Sequence, residues 1–169
     1  MSSVPRMRTV AAGVAALMTL AIPASAAGLT PNERAERQMT EAINAVRAEH
    51  GLPAFRTSAS LTASAEGYSQ YLMEHDVFTH QSSVWASSRF KLIGEALEWH
   101  SGRRFDVHGS LRRWLASPSH RAIVLSPTMR RQGAGVTRGR FGGRRATIWV
   151  LHAGRLTLPG TQLPDIQLP

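Results

Sequence analysis

Three short motifs in the middle of the chain carry the residues that could do chemistry: Phe-Thr-His80, Gly-Glu95-Ala and Ser-Pro-Ser-His120-Arg. Imidazole and carboxylate groups together can bind a metal ion, transfer a proton or organise a polar pocket. The sequence contains no cysteine, no Gly-x-Ser-x-Gly motif and no His-Glu-x-x-His motif, so it lacks three common hydrolase signatures. His80, Glu95 and His120 are therefore the best candidates for a site.

The segments that precede His80 predict two helices. Thr-Pro-Asn-Glu at 30–33 supplies a capping box with proline in the first turn, and the helix should run to about residue 50. A second helix is expected from residue 58 or 60 to about 76, with an apolar stripe at helical spacing. His80 should then follow the second helix in a loop or an extended segment.

The remaining elements predict how Glu95 and His120 are carried. In chain order we expect a short helix over about 88–92, a short strand over 94–97, a helix over about 105–116 that Pro118 stops, one further turn over 120–125, and a hairpin of strands over 133–137 and 146–152. Helices come first and a hairpin comes last. This order predicts an α+β fold without the βαβ alternation of a parallel sheet.

The N-terminus has the pattern of a secretory signal peptide. Arg6 and Arg8 give a positive start, an apolar run follows, and Ala-Ser-Ala ends at residue 26. The run is shorter than a spanning helix needs, and no later segment is long and apolar enough to span. We therefore expect a secreted protein, extracellular or in the periplasm or cell envelope, with three parts: a signal peptide over 1–26, a domain over 30–155 and a proline-containing tail over 156–169.

The chain is strongly basic, with a formal charge of +9 that falls to +7 when residues 1–26, with two arginines, are left out. Lys91 is the only lysine, and arginine suits phosphate and carboxylate groups because its fork is planar and bidentate. Trp99 with Arg103 and Arg104 is a combination that suits lipid headgroups or glycans. Further arginines fall on the predicted hairpin loop, at 138, 140, 144 and 145. Because the charge is spread along the chain, nucleic acid is not the favoured partner.

The ordered set of motifs resembles the CAP superfamily of cysteine-rich secretory, antigen 5 and pathogenesis-related proteins. The similarity is to its bacterial, cysteine-free branch, the SCP-type extracellular domain. The matching stretches are Ile43–Leu52, Phe78–His80, Ile93–Ala96, Trp114–Leu125 and Gly133–Val136. The resemblance implies a three-layer α-β-α sandwich around a small antiparallel sheet. It also implies a surface cleft in which His80 and His120 are the two histidines and Glu95 is one of two acids.

The chain departs from the family pattern at three places. Ala96 replaces the usual asparagine after the acid, and the usual Thr-Gln pair of the last strand is replaced by the apolar Ile148–Val150. The second acid of the family corresponds to Gly109, which has no side chain. His108 stands beside it, but one helical position is a rotation of about 100°. His108 is therefore a cleft candidate only if the helix turns it inward.

These departures leave two interpretations open. A catalytic zinc ion needs about three protein ligands and an open water position, and His80, His120 and Glu95 could supply that set for zinc or another divalent metal. The alternative is therefore a metal-dependent hydrolase. The favoured hypothesis assigns no catalytic residue and is a secreted module that binds a lipid, cell-wall or protein partner through a cleft of His80, Glu95, His120 and His108.

Overall fold

Eight helices and strands build the part of the chain that the computed structural model describes, which is residues 28–84, 86 and 89–156. The predicted signal peptide and nearly all of the predicted tail lie outside these residues. In chain order the elements are α1 Pro31–Glu49, β1 Arg56–Thr57, α2 Ala59–Glu74, β2 Phe90–Ser101, α3 Val107–Ala116, α4 Pro118–Val124, β3 Arg131–Phe141 and β4 Arg144–Leu156.

The four strands form one sheet in the order β1-β3-β4-β2. The three long strands pair antiparallel, and the two-residue β1 pairs parallel to the start of β3. The hairpin of β3 and β4 turns at Gly142 and Gly143, which both have positive φ angles, as a tight turn requires. The predicted hairpin is therefore confirmed, with strands longer than expected at both ends.

Helices cover both faces of the sheet, because successive side chains of a strand point to opposite sides. On one face Leu97, Ile148 and Val150 pack against α2. On the other face Val136, Trp149 and Leu151 belong to a core that α1, α3 and α4 complete. The architecture is the predicted α+β fold, a three-layer α-β-α sandwich.

Two glycines let α2 lie directly on β3. A Cβ atom at Gly133 would stand 2.0 Å from the backbone nitrogen of Thr62, and one at Gly135 would stand 2.2 Å from that of Glu66. Backbone atoms cannot move aside as a flexible side chain can. The Gly-Ala-Gly-Val motif therefore serves close packing between a helix and a strand.

The first helix begins where the sequence predicts. The Thr30 hydroxyl accepts the N–H of Glu33, and the Glu33 carboxylate accepts the N–H of Thr30 at 2.7 Å. Near its end, the fully buried Arg47 donates to the carbonyl oxygens of Val124 and Ser126, at 2.7 and 3.0 Å. Arg47 thereby ties α1 to the end of α4, the helix that carries His120.

One local prediction is wrong, and another is correct but incomplete. Residues 90–92, expected at the end of a short helix, lie in β2, and residue 88 lies outside the described part. Their pairing with β4 is a long-range contact that overrides local sequence preference. Pro118 also does more than stop α3, because it occupies the first turn of α4. None of the helices described here is long and apolar enough to cross a membrane.

Candidate functional site

The Glu95 carboxylate is the centre of a hydrogen-bonded cluster. Its Oε1 atom accepts from Nδ1 of His80 at 2.7 Å and from the backbone N–H of Gln81 at 3.1 Å. Its Oε2 atom accepts from Nε2 of His152 at 3.0 Å and from the side-chain amide of Gln81 at 3.1 Å. A carboxylate offers about four acceptor positions, so four donors occupy them all.

Three parts of the fold position this cluster. Glu95 on β2 lies directly opposite His152 on β4, so both side chains point to the α2 face of the sheet. His80 and Gln81 come from the segment that follows α2. The Tyr68 hydroxyl on α2 anchors that segment by donating to the carbonyl oxygen of Thr79 at 2.5 Å. The sheet therefore supplies the carboxylate, and a tethered loop supplies the exposed imidazole.

The hydrogen bonds keep Glu95 ionised. Burial raises the pKa of this carboxyl, but the donors from His152, His80 and the Gln81 backbone outweigh it and hold the pKa below its usual value. An ionised carboxylate accepts only, so the proton of the contact with His80 lies on Nδ1. In the neutral ring, Nε2 of His80 then carries a free lone pair.

Exposure separates the members of the cluster. The side chains of Glu95 and His152 are 7% and 0% exposed, whereas that of His80 is 58% exposed. The buried Glu95–His152 pair therefore supports the site from below, and the His80 ring is the group that a ligand can reach.

His120 joins the site from the first turns of α4. Its ring centroid lies 5.8 Å from that of His80, with the two rings tilted by 58°. Burial lowers the pKa of His120, and the nearby His80 ring lowers it further, whereas Glu95 acts in the opposite direction. His120 therefore favours the neutral form beside the exposed ring of His80. The structure thus brings together His80, Glu95 and His120.

An elongated groove of about 850 Å³ leads along α2 to His80. Small residues and two tyrosines form its α2 side, and the segment after α2 forms the other; the lining residues include Ser60, Ala63, Ser64, Gly67, Tyr68, Tyr71, Thr79, His80 and Gln81. A smaller hollow of about 370 Å³ continues from His80 to Glu95 and Ile93. The exposed imidazole thus stands where a long, partly apolar groove meets a polar pocket.

His108 does not join the cleft. It is exposed near the start of α3 and lines a separate groove between α1 and α3, with Gln38, Glu41 and Asp106. The inclusion of His108 is therefore wrong. The neighbouring Gly109 is buried, and the Asp106 carboxylate occupies the space that a side chain would need; a Cβ atom there would stand 2.1 Å from an oxygen of Asp106.

A zinc site of three protein ligands does not fit these residues. The carboxylate oxygens of Glu95 are filled by four donors, which leaves two imidazoles as free nitrogen ligands. Within residues 28–84, 86 and 89–156, no group of three or more His, Cys, Asp or Glu side chains is arranged to hold a metal ion. The predicted set of His80, Glu95 and His120 is better described as a polar cluster.

Two members of the cluster were missed in the sequence. Neither His152 nor Gln81 is among the site residues predicted from the sequence. The available signal for His152 was its alternation with Ile148 and Val150, which places all three on one face of a strand. Nothing in the sequence showed the register that sets His152 opposite Glu95.

Comparisons with known proteins agree with this fold. The family model described as the cysteine-rich secretory protein family, CAP, matches residues 40–152. The chain is similar to the structure of an outer surface protein of Borrelia burgdorferi, with a TM-score of 0.61 and 20% identity over 74% of this chain and 95% of that one. No curated protein sequence matches it.

Two further solved structures share the fold. An extracellular protein of Bacillus anthracis that contains an SCP domain is similar with a TM-score of 0.58 and 21% identity, over 76% of this chain and 44% of that one. Venom allergen-like protein 4 of Schistosoma mansoni is similar with a TM-score of 0.56 and 12% identity, over 77% of this chain and 92% of that one.

Proposed function

The chain belongs to the cysteine-rich secretory protein (CAP) family, and we propose that it is an exported binding module whose cleft takes an amphiphilic ligand. The observation that carries this proposal is the exposed His80 ring, which Glu95 orients at the meeting point of the long groove and the polar pocket. The polar head of the ligand contacts His80 and His120, and its apolar part lies along Tyr68 and Tyr71.

The chemistry of the cluster supports binding over hydrolysis. Glu95 is saturated by donors and held below its usual pKa, so it is a poor general base at neutral pH. The described part contains no cysteine, and the chain as a whole has none. His80 offers a lone pair or, when protonated, a second donor, and either one can contact a polar headgroup.

Export is part of the proposal. The signal-peptide pattern of residues 1–26 supports it. Two of the similar structures carry the descriptions "outer surface protein" and "extracellular protein", which are statements about those proteins. We expect removal of residues 1–26 during export, which N-terminal sequencing of the secreted chain would detect.

The binding proposal is tested by lipid capture. The secreted chain, incubated with a total lipid extract, should retain one class of amphiphile that mass spectrometry identifies. The double variant His80→Ala/His120→Ala should lose it. His50→Ala/His108→Ala is the matched control, because His50 lies at the end of α1 against the carbonyl of Val46 and His108 lines a separate groove between α1 and α3. Equal retention by all three proteins, or retention by none, would contradict the proposal.

A further inference from the structure

Exposed aromatic side chains collect at the end of the sheet where β3 turns into β4. The Phe141 ring lies 5.2 Å from that of Trp99 and 6.2 Å from that of Phe78, measured between centroids. Phe78 and Trp99 are each 40% exposed, and Val77 is 37% exposed. Contiguous exposed apolar side chains of this kind mark an interaction surface rather than ordinary scatter.

Arginines surround these aromatic residues. Arg140, Arg144 and Arg145 are exposed at the tip of the hairpin. The loop after β2 adds Arg103 and Arg104 beside them, because Gly102 donates its N–H to the carbonyl of Arg145 at 2.7 Å. We call the whole set the hairpin-end patch: Val77, Phe78, Trp99, Arg103, Arg104, Arg138, Arg140, Phe141, Arg144 and Arg145.

Little negative charge opposes this patch. Within the described residues, none of its six arginines forms an ion pair with a carboxylate. Arg140 bonds the carbonyl of Gly143, and Arg138 reaches that of Arg103. Asp76 accepts the N–H of Gly142, which fixes the turn against the end of α2. Arg138 is partly buried with its guanidinium over the Phe105 ring, so the exposed groups of Arg103, Arg104, Arg140, Arg144 and Arg145 are the ones available to an external anion.

The two side-chain types alternate across the hairpin tip. Phe141 and Arg144 are paired across the strands, as are Arg140 and Arg145, and neighbouring pairs point to opposite faces. The tip thus presents an aromatic cluster on one side and cationic groups on both. Aromatic rings and arginines in this combination suit the interface of an anionic bilayer, where rings insert at headgroup level and cations contact phosphate.

We propose that the hairpin-end patch docks the protein onto an anionic phospholipid surface. The patch is separate from the His80 cleft, so this inference does not depend on the ligand of the cleft. Duplex DNA would also bind the arginines through its phosphates, but its bases are stacked within the helix, so it gives no role to an exposed Phe78 beside Phe141. The aromatic cluster is the reason to favour a bilayer.

The test is co-sedimentation of the secreted chain with phosphatidylcholine vesicles that contain or lack phosphatidylglycerol. We expect binding to the anionic vesicles only, weakening as salt increases. The triple variant Arg140→Gln/Arg144→Gln/Arg145→Gln should bind on the order of 100-fold more weakly, from roughly fivefold per arginine. Arg34→Gln/Arg37→Gln/Arg56→Gln removes the same charge elsewhere and should lose far less.

The aromatic part has its own control. Phe78→Ser should weaken vesicle binding about 5-fold or more, whereas Leu92→Ser, at a residue that is 47% exposed on β2, should leave it unchanged. Circular dichroism shows whether each variant is folded. Equal binding to neutral and anionic vesicles, equal loss in the two arginine triples, or binding to duplex DNA that matches vesicle binding and ignores Phe78→Ser would each overturn the proposal.

Discussion

Glu95 and Glu98 are two nearly buried carboxylates on the same strand, and they have opposite kinds of partners. They lie three residues apart on β2 and therefore point to opposite faces of the sheet. Glu98 is 5% exposed and accepts from the Arg113 guanidinium at 2.5 Å, and its Oε2 atom lies 3.2 Å from Nδ1 of His100. Glu95 accepts from two imidazoles and an amide.

The two networks differ in the charge and in the exposure of the groups that donate to the carboxylate. Arg113 also reaches Asp106 at 3.2 Å, so a permanent cation joins β2 to the start of α3. The donors around Glu95 carry no fixed charge, and one of them, His80, is 58% exposed. A carboxylate neutralised by arginine stabilises the fold, whereas one that orients an exposed imidazole prepares a group for a ligand.

The largest expected effect on stability comes from breaking the ion pair of Arg113 and Glu98. Arg113→Met should lower the free energy of unfolding by about 2–3 kcal/mol, because it leaves Glu98 buried without its cation. Lipid capture by the cleft should be unchanged. Urea denaturation measures the stability, and Arg112→Met, at an exposed neighbour on α3, is the control. Equal stabilities of the two variants would contradict the role given to Glu98 and Arg113.

Glu95→Leu should show the reverse pattern. The aliphatic side chain fills similar space but leaves the donors of His80, Gln81 and His152 without an acceptor, so we expect a loss of about 1–2 kcal/mol in stability. Lipid capture should be lost, since nothing then orients the His80 ring. The comparison fails if Glu95→Leu unfolds more easily than Arg113→Met and still retains the lipid.

A third buried carboxylate, Glu36 on α1, has no cationic partner within the described part of the chain, and it extends the comparison to the pH dependence of stability. It accepts the N–H of Val136 at 3.0 Å, but burial and the nearby Glu66 carboxylate raise its pKa to about 7. The folded state therefore binds more protons than the unfolded state between the usual pKa of 4.5 and about 7, and stability falls as pH rises through that window.

Glu36→Gln keeps the acceptor for Val136 and removes the titration. Its unfolding free energy should vary less with pH over the same window, and at higher pH it should exceed that of the wild-type protein. Thermal denaturation across pH measures this, with Glu49→Gln at the exposed end of α1 as the control. Parallel pH profiles of Glu36→Gln and wild type would show that Glu36 does not carry this dependence.

The smallest effect is expected at Gly109. An added methyl group meets the Asp106 carboxylate, but this side chain is 45% exposed and can move outward. Gly109→Ala should therefore cost about 1 kcal/mol or less. Gly67→Ala, where a Cβ atom meets nothing within 4 Å, should instead stabilise α2 by about 0.5–1 kcal/mol. A large loss of stability in Gly109→Ala would mean that the Asp106 side chain cannot move outward.

Local signals were enough to predict α1, α2, the hairpin and the α+β class, whereas the three-layer sandwich was implied by the family resemblance. The capping box at Thr30 and the apolar stripes are properties of neighbouring residues. The prediction of a helix over 88–92 is wrong at residues 90–92, because their pairing with β4 is not a local property of the sequence. The same limit explains why β2 is longer than the strand expected over 94–97.

The site was predictable only in part for the same reason. The motifs identified His80, Glu95 and His120, which the structure brings together. His108 was a candidate by proximity in sequence, but the rotation of α3 places it toward α1. His152 was missed because its contact with Glu95 depends on the register between β2 and β4.

The most direct test of the central claim is the tautomer of His80, read by long-range ¹H–¹⁵N correlation NMR of the imidazole nitrogens. If Glu95 orients the ring as described, the neutral His80 ring carries its proton on Nδ1, and Glu95→Leu, which removes every acceptor atom, abolishes that preference. A neutral His80 ring protonated on Nε2, or a Nδ1 preference that survives Glu95→Leu, would contradict the claim that Glu95 presents His80 to a ligand.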